Sequence, residues 1–180
     1  YAENSNVILE RYKLDECEEY LNSNIIERLL NIIRSFTQNG KHDITTTEGI
    51  YQVFLKDRKD SLAKLRGIKR ILSDSETVFI KLAVIISRRF KFVRRLILQI
   101  ENRFFSPLIH YEVFDKYQPE TLVVSSLGTF NYDQYLMREE RRRNVEVVSV
   151  ILSWDNTTCR GMPAAISDKV IAWTDIMREE

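Results

Sequence analysis

Polar side chains follow an apolar run late in the chain, and they are the strongest candidates for chemistry among its 180 residues. The run Val145–Leu152 is followed by Ser153, Asp155, Asn156 and Thr157. Asp155 could act as a general base or orient a hydroxyl group, and Asn156 could hydrogen-bond sugar or phosphate oxygens. The same two side chains could instead cap the next turn through their own backbone. Both interpretations stay open at the level of the sequence.

A second polar loop follows the short β-branched run Thr121–Val124. It contains Ser125, Ser126 and Gly128, and a helix is predicted from Asp133 to Arg143. In open α/β sheets, ligands bind outside the carboxyl ends of the strands, so both polar loops are predicted to line one pocket. The loop has no Gly-rich dinucleotide fingerprint. A polar turn that uses Gly128 for a positive φ is the alternative to a phosphate-binding loop.

These segments read as strand, helix, strand, and the two apolar runs suit strands that are buried on both faces. We therefore expect an α/β fold, Rossmann-like, in which a small parallel sheet has helices on both faces. A large helical insertion is predicted at about 14–117 and a βαβ core at about 120–175, within a single domain spanning 1–180. Further predicted elements are a strand at 7–9, helices at 14–37, 47–55, 57–72, 77–87, 90–105 and 108–117, with an N-cap at 73–75, and a final strand at 168–173.

The helix of the βαβ unit shows a simple division into two faces. Tyr132, Leu136 and Met137 are expected on its apolar side. The charged residues are expected outside: Arg138, Glu139, Glu140, Arg141 and Arg142.

Another group of cations is interleaved with Phe90 and Phe92 and predicts a basic amphipathic helix. Such a helix could contact anionic lipid or a lipid phosphate. The alternative is the solvated outer face of a core helix. The cations of this group are Arg88, Arg89, Lys91, Arg94 and Arg95.

Composition excludes several classes. The formal net charge is +1, which gives no reason to expect nucleic acid as a partner. Cys17, Cys159, His42 and His110 do not have metal-ligand spacing, so no metal is expected. His110 is expected to be a structural histidine with its ring hydrogen-bonded, and a general base is the alternative. No signal peptide or membrane span is evident, so a cytoplasmic location is expected, with peripheral contact at the inner face of the membrane.

The residues after the second strand resemble a known family. The order is a hydrophobic strand, then Ser-Trp-Asp-Asn-x-Thr-x-x-Gly, then Pro, then a hydrophobic strand that ends in Trp. It resembles the N-terminal domain of GT-B-type glycosyltransferase-like proteins of surface-polysaccharide synthesis, over about residues 121–173. The residues that carry it are Ser153, Trp154, Asp155, Asn156, Gly161, Pro163, Asp168 and Trp173, with Thr157 at the first position marked x.

That resemblance implies two Rossmann-like domains facing across a cleft. The N-terminal domain would contact a glycan or lipid-linked acceptor, and a C-terminal nucleotide-binding domain would hold the nucleotide-sugar donor. The chain is expected to be the acceptor-side piece of a longer protein, binding no cofactor itself, so its own activity stays open. Asp155 is the catalytic candidate, and the substrate contacts are Ser125, Ser126, Gly128, Ser153, Asn156 and Thr157. The alternative is a non-catalytic Rossmann-like interaction or scaffold domain.

Overall fold

The computed structural model of the chain describes residues 10–37, 45–129, 131–151 and 161–175. In this part, six helices precede a small sheet, and a seventh connects its first two strands. The elements are α1 Leu14–Ser23, α2 Ile25–Ser35, α3 Thr45–Ala63, α4 Ile68–Arg89, α5 Lys91–Phe104, α6 Tyr111–Tyr117, β1 Thr121–Val124, α7 Asn131–Arg142, β2 Glu146–Val150 and β3 Lys169–Ile171.

The described sheet has three parallel strands in the order β1-β2-β3. This confirms the prediction that the two apolar runs are parallel neighbours, and Val124 pairs with Ser149 in their register. The mixed α/β class is confirmed as well, although most of the described chain is helical. The predicted strand at 7–9 lies outside the described residues.

One face of the sheet packs on α7, and the other face is open in the described part of the chain. Val124 and Val147 are buried with residues of α7. Side chains alternate along a strand, so Val123 points the other way, and it is 63% exposed. Ile171, on the same face, is 53% exposed. The described elements therefore differ from the expectation of helices on both faces.

The predicted helix at 14–37 is two helices, because Asn24 interrupts it. The backbone of Asn24 is extended, and its side-chain oxygen accepts a hydrogen bond from the Glu27 amide at 3.1 Å. Asparagine is a favoured N-cap because this bond satisfies an amide that has no partner within the helix. Helical periodicity alone did not reveal the break.

The predicted helices at 47–55 and 57–72 form one helix, α3, that ends at Ala63. The next begins after Gly67, whose φ of 62° suits a residue without a side chain. The predicted N-cap at 73–75 is wrong, because these residues lie inside α4. Ser75 and Thr77 instead donate their hydroxyls to carbonyls one turn earlier in the helix.

The segment after the described end of β2 joins two apolar cores. Met162 packs with Ile33, Ile80 and Val84 in the helical core. Three residues later, Ala165 packs in the core between the sheet and α7. This short stretch therefore connects the helical insertion to the βαβ unit.

A buried group of two arginines and two glutamates makes the same connection. Arg34 of α2 donates through Nε to Oε1 of Glu101 in α5 at 3.2 Å. Arg138 of α7 donates through Nη1 to Oε1 of Glu27 in α2 at 2.7 Å, and its Nη2 lies 3.3 Å from Glu101. All four residues are at most 2% exposed. We call them the four-charge cluster, and their formal charges cancel.

The surroundings of the cluster supply further acceptors for its arginines, whereas Oε2 of Glu27 and Oε2 of Glu101 have no hydrogen bond within the described residues. Arg138 also donates to the carbonyls of Phe105 and Ala164, each at 3.0 Å. Arg34 donates to the side chain of Gln134 at 2.8 Å. Burial raises the pKa of Glu27 and lowers the pKa of Arg34, while each opposite charge counteracts the shift.

The cluster corrects the expected outer face of α7. Arg138, Glu139 and Glu140 are fully buried. Arg141 and Arg142 are exposed, as expected. Helix α7 therefore packs on both sides, with Leu136 and Met137 on the sheet and with Tyr135 and the buried charges against the helical insertion.

We predict that Arg138→Met lowers the free energy of unfolding by about 3–5 kcal/mol, because it leaves the carboxylates of Glu27 and Glu101 buried beside too little positive charge. Arg141→Met is the matched control on the same helix. Its ion pair with Asp168, at 3.0 Å, is exposed, so we expect a loss below about 1 kcal/mol. Urea denaturation followed by circular dichroism measures both. Equal losses in the two variants would contradict the structural role of the cluster.

Candidate functional site

The loop between β1 and α7 is held by its own side chains. The Ser126 hydroxyl donates to Oδ2 of Asp133 at 2.5 Å and accepts the Gly128 amide at 3.0 Å. Burial raises the pKa of Asp133, and the bond from Ser126 opposes that rise. Gly128 has a φ of 69°, and a side chain there would lie 3.1 Å from Ala165. Ser126 and Gly128 therefore shape this loop.

The segment 161–166 lies against this loop at the carboxyl edge of the sheet. The Ala164 amide donates to the Leu127 carbonyl at 3.3 Å. The Met162 amide donates to two carbonyls. One belongs to Arg34 in the last turn of α2, at 3.2 Å, and the other to Thr37 just beyond that helix, at 2.8 Å. The carboxyl edge is thus bounded by the β1–α7 loop on one side and by the end of α2 on the other.

The predicted site residues fall into two groups. Ser125 is exposed at the carboxyl end of β1, whereas Ser126 and Gly128 are buried in the turn. The other predicted contacts, together with the catalytic candidate, lie outside the described residues: Ser153, Asp155, Asn156 and Thr157.

The five cations predicted to form a lipid-facing surface do not share one helix. Helix α4 ends at Arg89, Phe90 is extended, and α5 begins at Lys91. Arg88 points inward and binds the Phe36 carbonyl at 2.9 Å and Glu48 at 2.7 Å.

Arg94 donates to the carbonyls of Ser87 and Arg88, at 3.1 Å each, and so caps the end of α4. Only Arg89, Lys91 and Arg95 of the five are exposed.

Two buried polar side chains near the amino ends of the strands have no hydrogen bond within the described residues, and the sequence predicted this for neither of them. His110 is buried, and within the described residues neither of its ring nitrogens has a hydrogen bond, so the expected bonded ring is not observed. Burial lowers the pKa of His110 to about 4, which keeps the ring neutral at pH 7. It borders a cavity of about 440 Å³ with Tyr12, Phe114 and Leu136.

Glu140 lines a second cavity, of about 270 Å³, with Phe114, Gln118 and Arg143. Neither oxygen of its carboxyl group has a hydrogen bond within the described residues. Burial raises its pKa to about 7, and the nearby Arg143 partly opposes that rise. No sequence signal separated Glu140 from its exposed neighbours on α7.

No group of three or more metal-ligating side chains that could hold a metal ion occurs among the described residues. No helix in the described ranges is long and apolar enough to cross a membrane. No family model, curated protein or solved structure matches this chain. Assignment of a function therefore depends on the residues themselves.

Substitution of Gly161 tests the close contact between the carboxyl edge of the sheet and α2. A Cβ atom there would lie 2.3 Å from the Arg34 carbonyl oxygen, so we expect Gly161→Ala to destabilise the fold by about 1–3 kcal/mol. Gly49→Ala is the matched control. Gly49 lies in α3, and no atom beyond its own stretch of helix backbone lies within 4 Å of the added carbon. Because alanine favours helices, this change should be neutral or stabilising. Thermal unfolding compares the two, and similar melting temperatures would argue against the close contact.

Glu140 predicts a pH dependence. Its pKa rises from 4.5 to about 7 on folding, so the protonated acid contributes stability that is complete below about pH 4.5 and is lost as the pH rises through about 7. Glu140→Gln keeps the shape of the side chain and removes its charge. The free energy of unfolding of this variant, relative to that of the wild type, should therefore increase from pH 5 to pH 8. Urea midpoints across this range measure the change. Glu19→Gln, on the exposed side of α1, is the control, and a constant difference for both variants would refute the prediction.

Proposed function

We propose that the chain is the acceptor-side, N-terminal domain of a nucleotide-sugar-dependent glycosyltransferase of GT-B type, acting in surface-polysaccharide or glycan biosynthesis. The donor would bind a second, C-terminal domain, and the acceptor would be a glycan or a lipid-linked glycan. Peripheral contact with the inner face of a membrane belongs to the same proposal.

The observation that carries this proposal is the arrangement of the carboxyl edge. The β1–α7 loop and the segment 161–166 are hydrogen-bonded to each other there, in a parallel sheet where ligands characteristically bind at this edge. The segment Ser153–Thr157 of the resemblance lies in sequence between β2 and this segment. The polar side chains of Ser153–Thr157 would suit recognition of hydroxyl-rich ligands, because carboxylates and amides are strong hydrogen-bonding groups.

The proposed roles follow from chemistry. Asp155 would accept the proton of the acceptor hydroxyl or orient that hydroxyl. Asn156, Ser153, Thr157 and the exposed Ser125 would hydrogen-bond the acceptor. Ser126 and Gly128 would act indirectly, by fixing the loop that presents Ser125. Of the three candidate contacts in this loop, Ser125 is thus the one exposed to solvent, whereas Ser126 and Gly128 are buried.

The proposal is tested by binding of the chain to an array of bacterial-type and eukaryotic-type glycans. We expect binding to a subset, weakened at least about tenfold in Asp155→Asn, which keeps the shape and removes the charge. The melting temperature of the variant should match that of the wild type. Asp57→Asn, on the exposed side of α3, is the matched control and should bind as the wild type does.

Two outcomes would contradict the proposal. Absence of glycan binding by the wild type would favour the alternative of a non-catalytic scaffold domain. Equal loss of binding and of stability in Asp155→Asn would make this residue a structural cap of its turn.

A further inference from the structure

Helix α4 is apolar on two opposite sides. Its inner side carries Thr77, Ile80, Val84 and Ser87, all buried against the helical core. Its outer side carries eight large apolar residues, three before and five after the exposed Ser75, and each of the eight is between 44% and 76% exposed. We call this the α4 outer face, and it consists of Ile68, Ile71, Leu72, Val78, Phe79, Leu82, Ile85 and Ile86.

The α4 outer face continues past the end of the helix. Phe90, Phe92 and Leu96 are 47%, 66% and 50% exposed, so the apolar surface extends over the junction into α5. Single exposed apolar residues are ordinary on protein surfaces, but a group of this size along one side of a helix marks a contact with a membrane or with another protein. A helix whose apolar residues surround it is expected to be covered on all sides.

Positive charges border this surface. Exposed cations occur at the start of α4, in its second half and in the first half of α5: Lys69, Lys81, Arg89, Lys91 and Arg95. The two nearby carboxylates are already paired, since Glu76 lies 2.8 Å from Arg58 and Asp74 lies 3.9 Å from Arg70. The border of the α4 outer face is therefore cationic.

We propose that the α4 outer face docks on an anionic lipid surface, with α4 lying in the plane of the membrane. Its apolar side chains would enter the boundary between headgroups and acyl chains, and the bordering cations would contact lipid phosphates. The core-facing side of α4 keeps its packing, so docking needs no unfolding. This inference names a surface for the membrane contact that belongs to the proposed function, and its corollary, a lipid-linked acceptor, rests on that function.

Charge favours lipid over a second copy of the chain as the partner. Any pairing of two α4 outer faces would bring together two surfaces that have the same cationic border. An antiparallel pair centred on Leu82 would still bring Lys81 beside the Lys81 of the other copy. An anionic lipid surface attracts all of the cations at once, and each one near the surface strengthens binding about fivefold.

The test is co-sedimentation of the chain with phosphatidylcholine vesicles, with and without phosphatidylglycerol. We expect stronger binding to the anionic vesicles, and this advantage should shrink as salt rises. Phe79→Ser with Leu82→Ser should weaken binding at least about tenfold on anionic vesicles. Arg89→Gln with Lys91→Gln should weaken binding about tenfold or more, on the anionic vesicles only.

Matched controls separate this surface from general stickiness. Ile26→Ser removes an exposed apolar residue of α2, and Lys64→Gln removes an exposed cation after α3, and neither should change binding. Circular dichroism checks that each variant is folded. Sedimentation of the chain without vesicles corrects for self-association.

Three results would overturn the proposal. The first is no binding to anionic vesicles, and the second is unchanged binding in both double variants. The third is a dimer that dissociates on substitution of Phe79 and Leu82 while vesicle binding stays unchanged. The last result would assign the α4 outer face to a second copy. Vesicle binding and glycan binding are separate measurements, so failure of either proposal can be distinguished from failure of the other.

Discussion

The structure depends on the pairing of two buried arginines with two buried glutamates. Moving any of these charges out of water is costly, and only close pairing with hydrogen bonds to the remaining groups offsets that cost. The cluster forms only when α2, α5 and α7 lie side by side, because Glu27 and Arg34, Glu101, and Arg138 come from these three helices. Apolar packing could tolerate small displacements of the helices, but directional bonds at 2.7–3.3 Å tolerate far less.

This constraint reaches the carboxyl edge of the sheet. Arg138 binds the Ala164 carbonyl, and the Ala164 amide in turn binds the Leu127 carbonyl in the β1–α7 loop. Arg34 takes part through both its side chain and its backbone, since the Arg34 carbonyl accepts the Met162 amide. Two arginines of the four-charge cluster, Arg34 and Arg138, therefore also hold the segment that borders the candidate site. A displacement of helices in the helical insertion should consequently displace the segment at the carboxyl edge.

The elements that the sequence predicted well are those with local signals. The β-branched run Thr121–Val124 is β1 with the same bounds, and the next apolar run contains β2. Burial of charge has no comparable signal, because Arg138, Glu139 and Glu140 look like a solvated helix face until the helical insertion packs on them. One hint was present: Glu101 lies one turn after the buried Ile97, on the apolar side of α5.

Position in the fold also separates residues of the candidate site that share one chemical type. Ser125 and Ser126 are adjacent serines, yet one is exposed and the other is bonded to Asp133. Among the cations near the α4–α5 junction, Arg88 and Arg94 satisfy carbonyls, and Arg89 and Lys91 face outward. Sequence supplies the chemical types, and packing decides which of them meet a ligand.

The α4 outer face and the carboxyl edge are mechanically connected through α2. The inner side of α4 shares a core with Ile33 of α2, and the next residue, Arg34, belongs to the four-charge cluster and binds Met162. No long loop intervenes in this path, so a surface docked through α4 would hold the carboxyl edge at a constant height above the lipid. Under the proposed function, a constant height above the lipid would suit an acceptor whose reactive sugar lies at a fixed distance from its lipid anchor. It would give no advantage for a freely diffusing glycan.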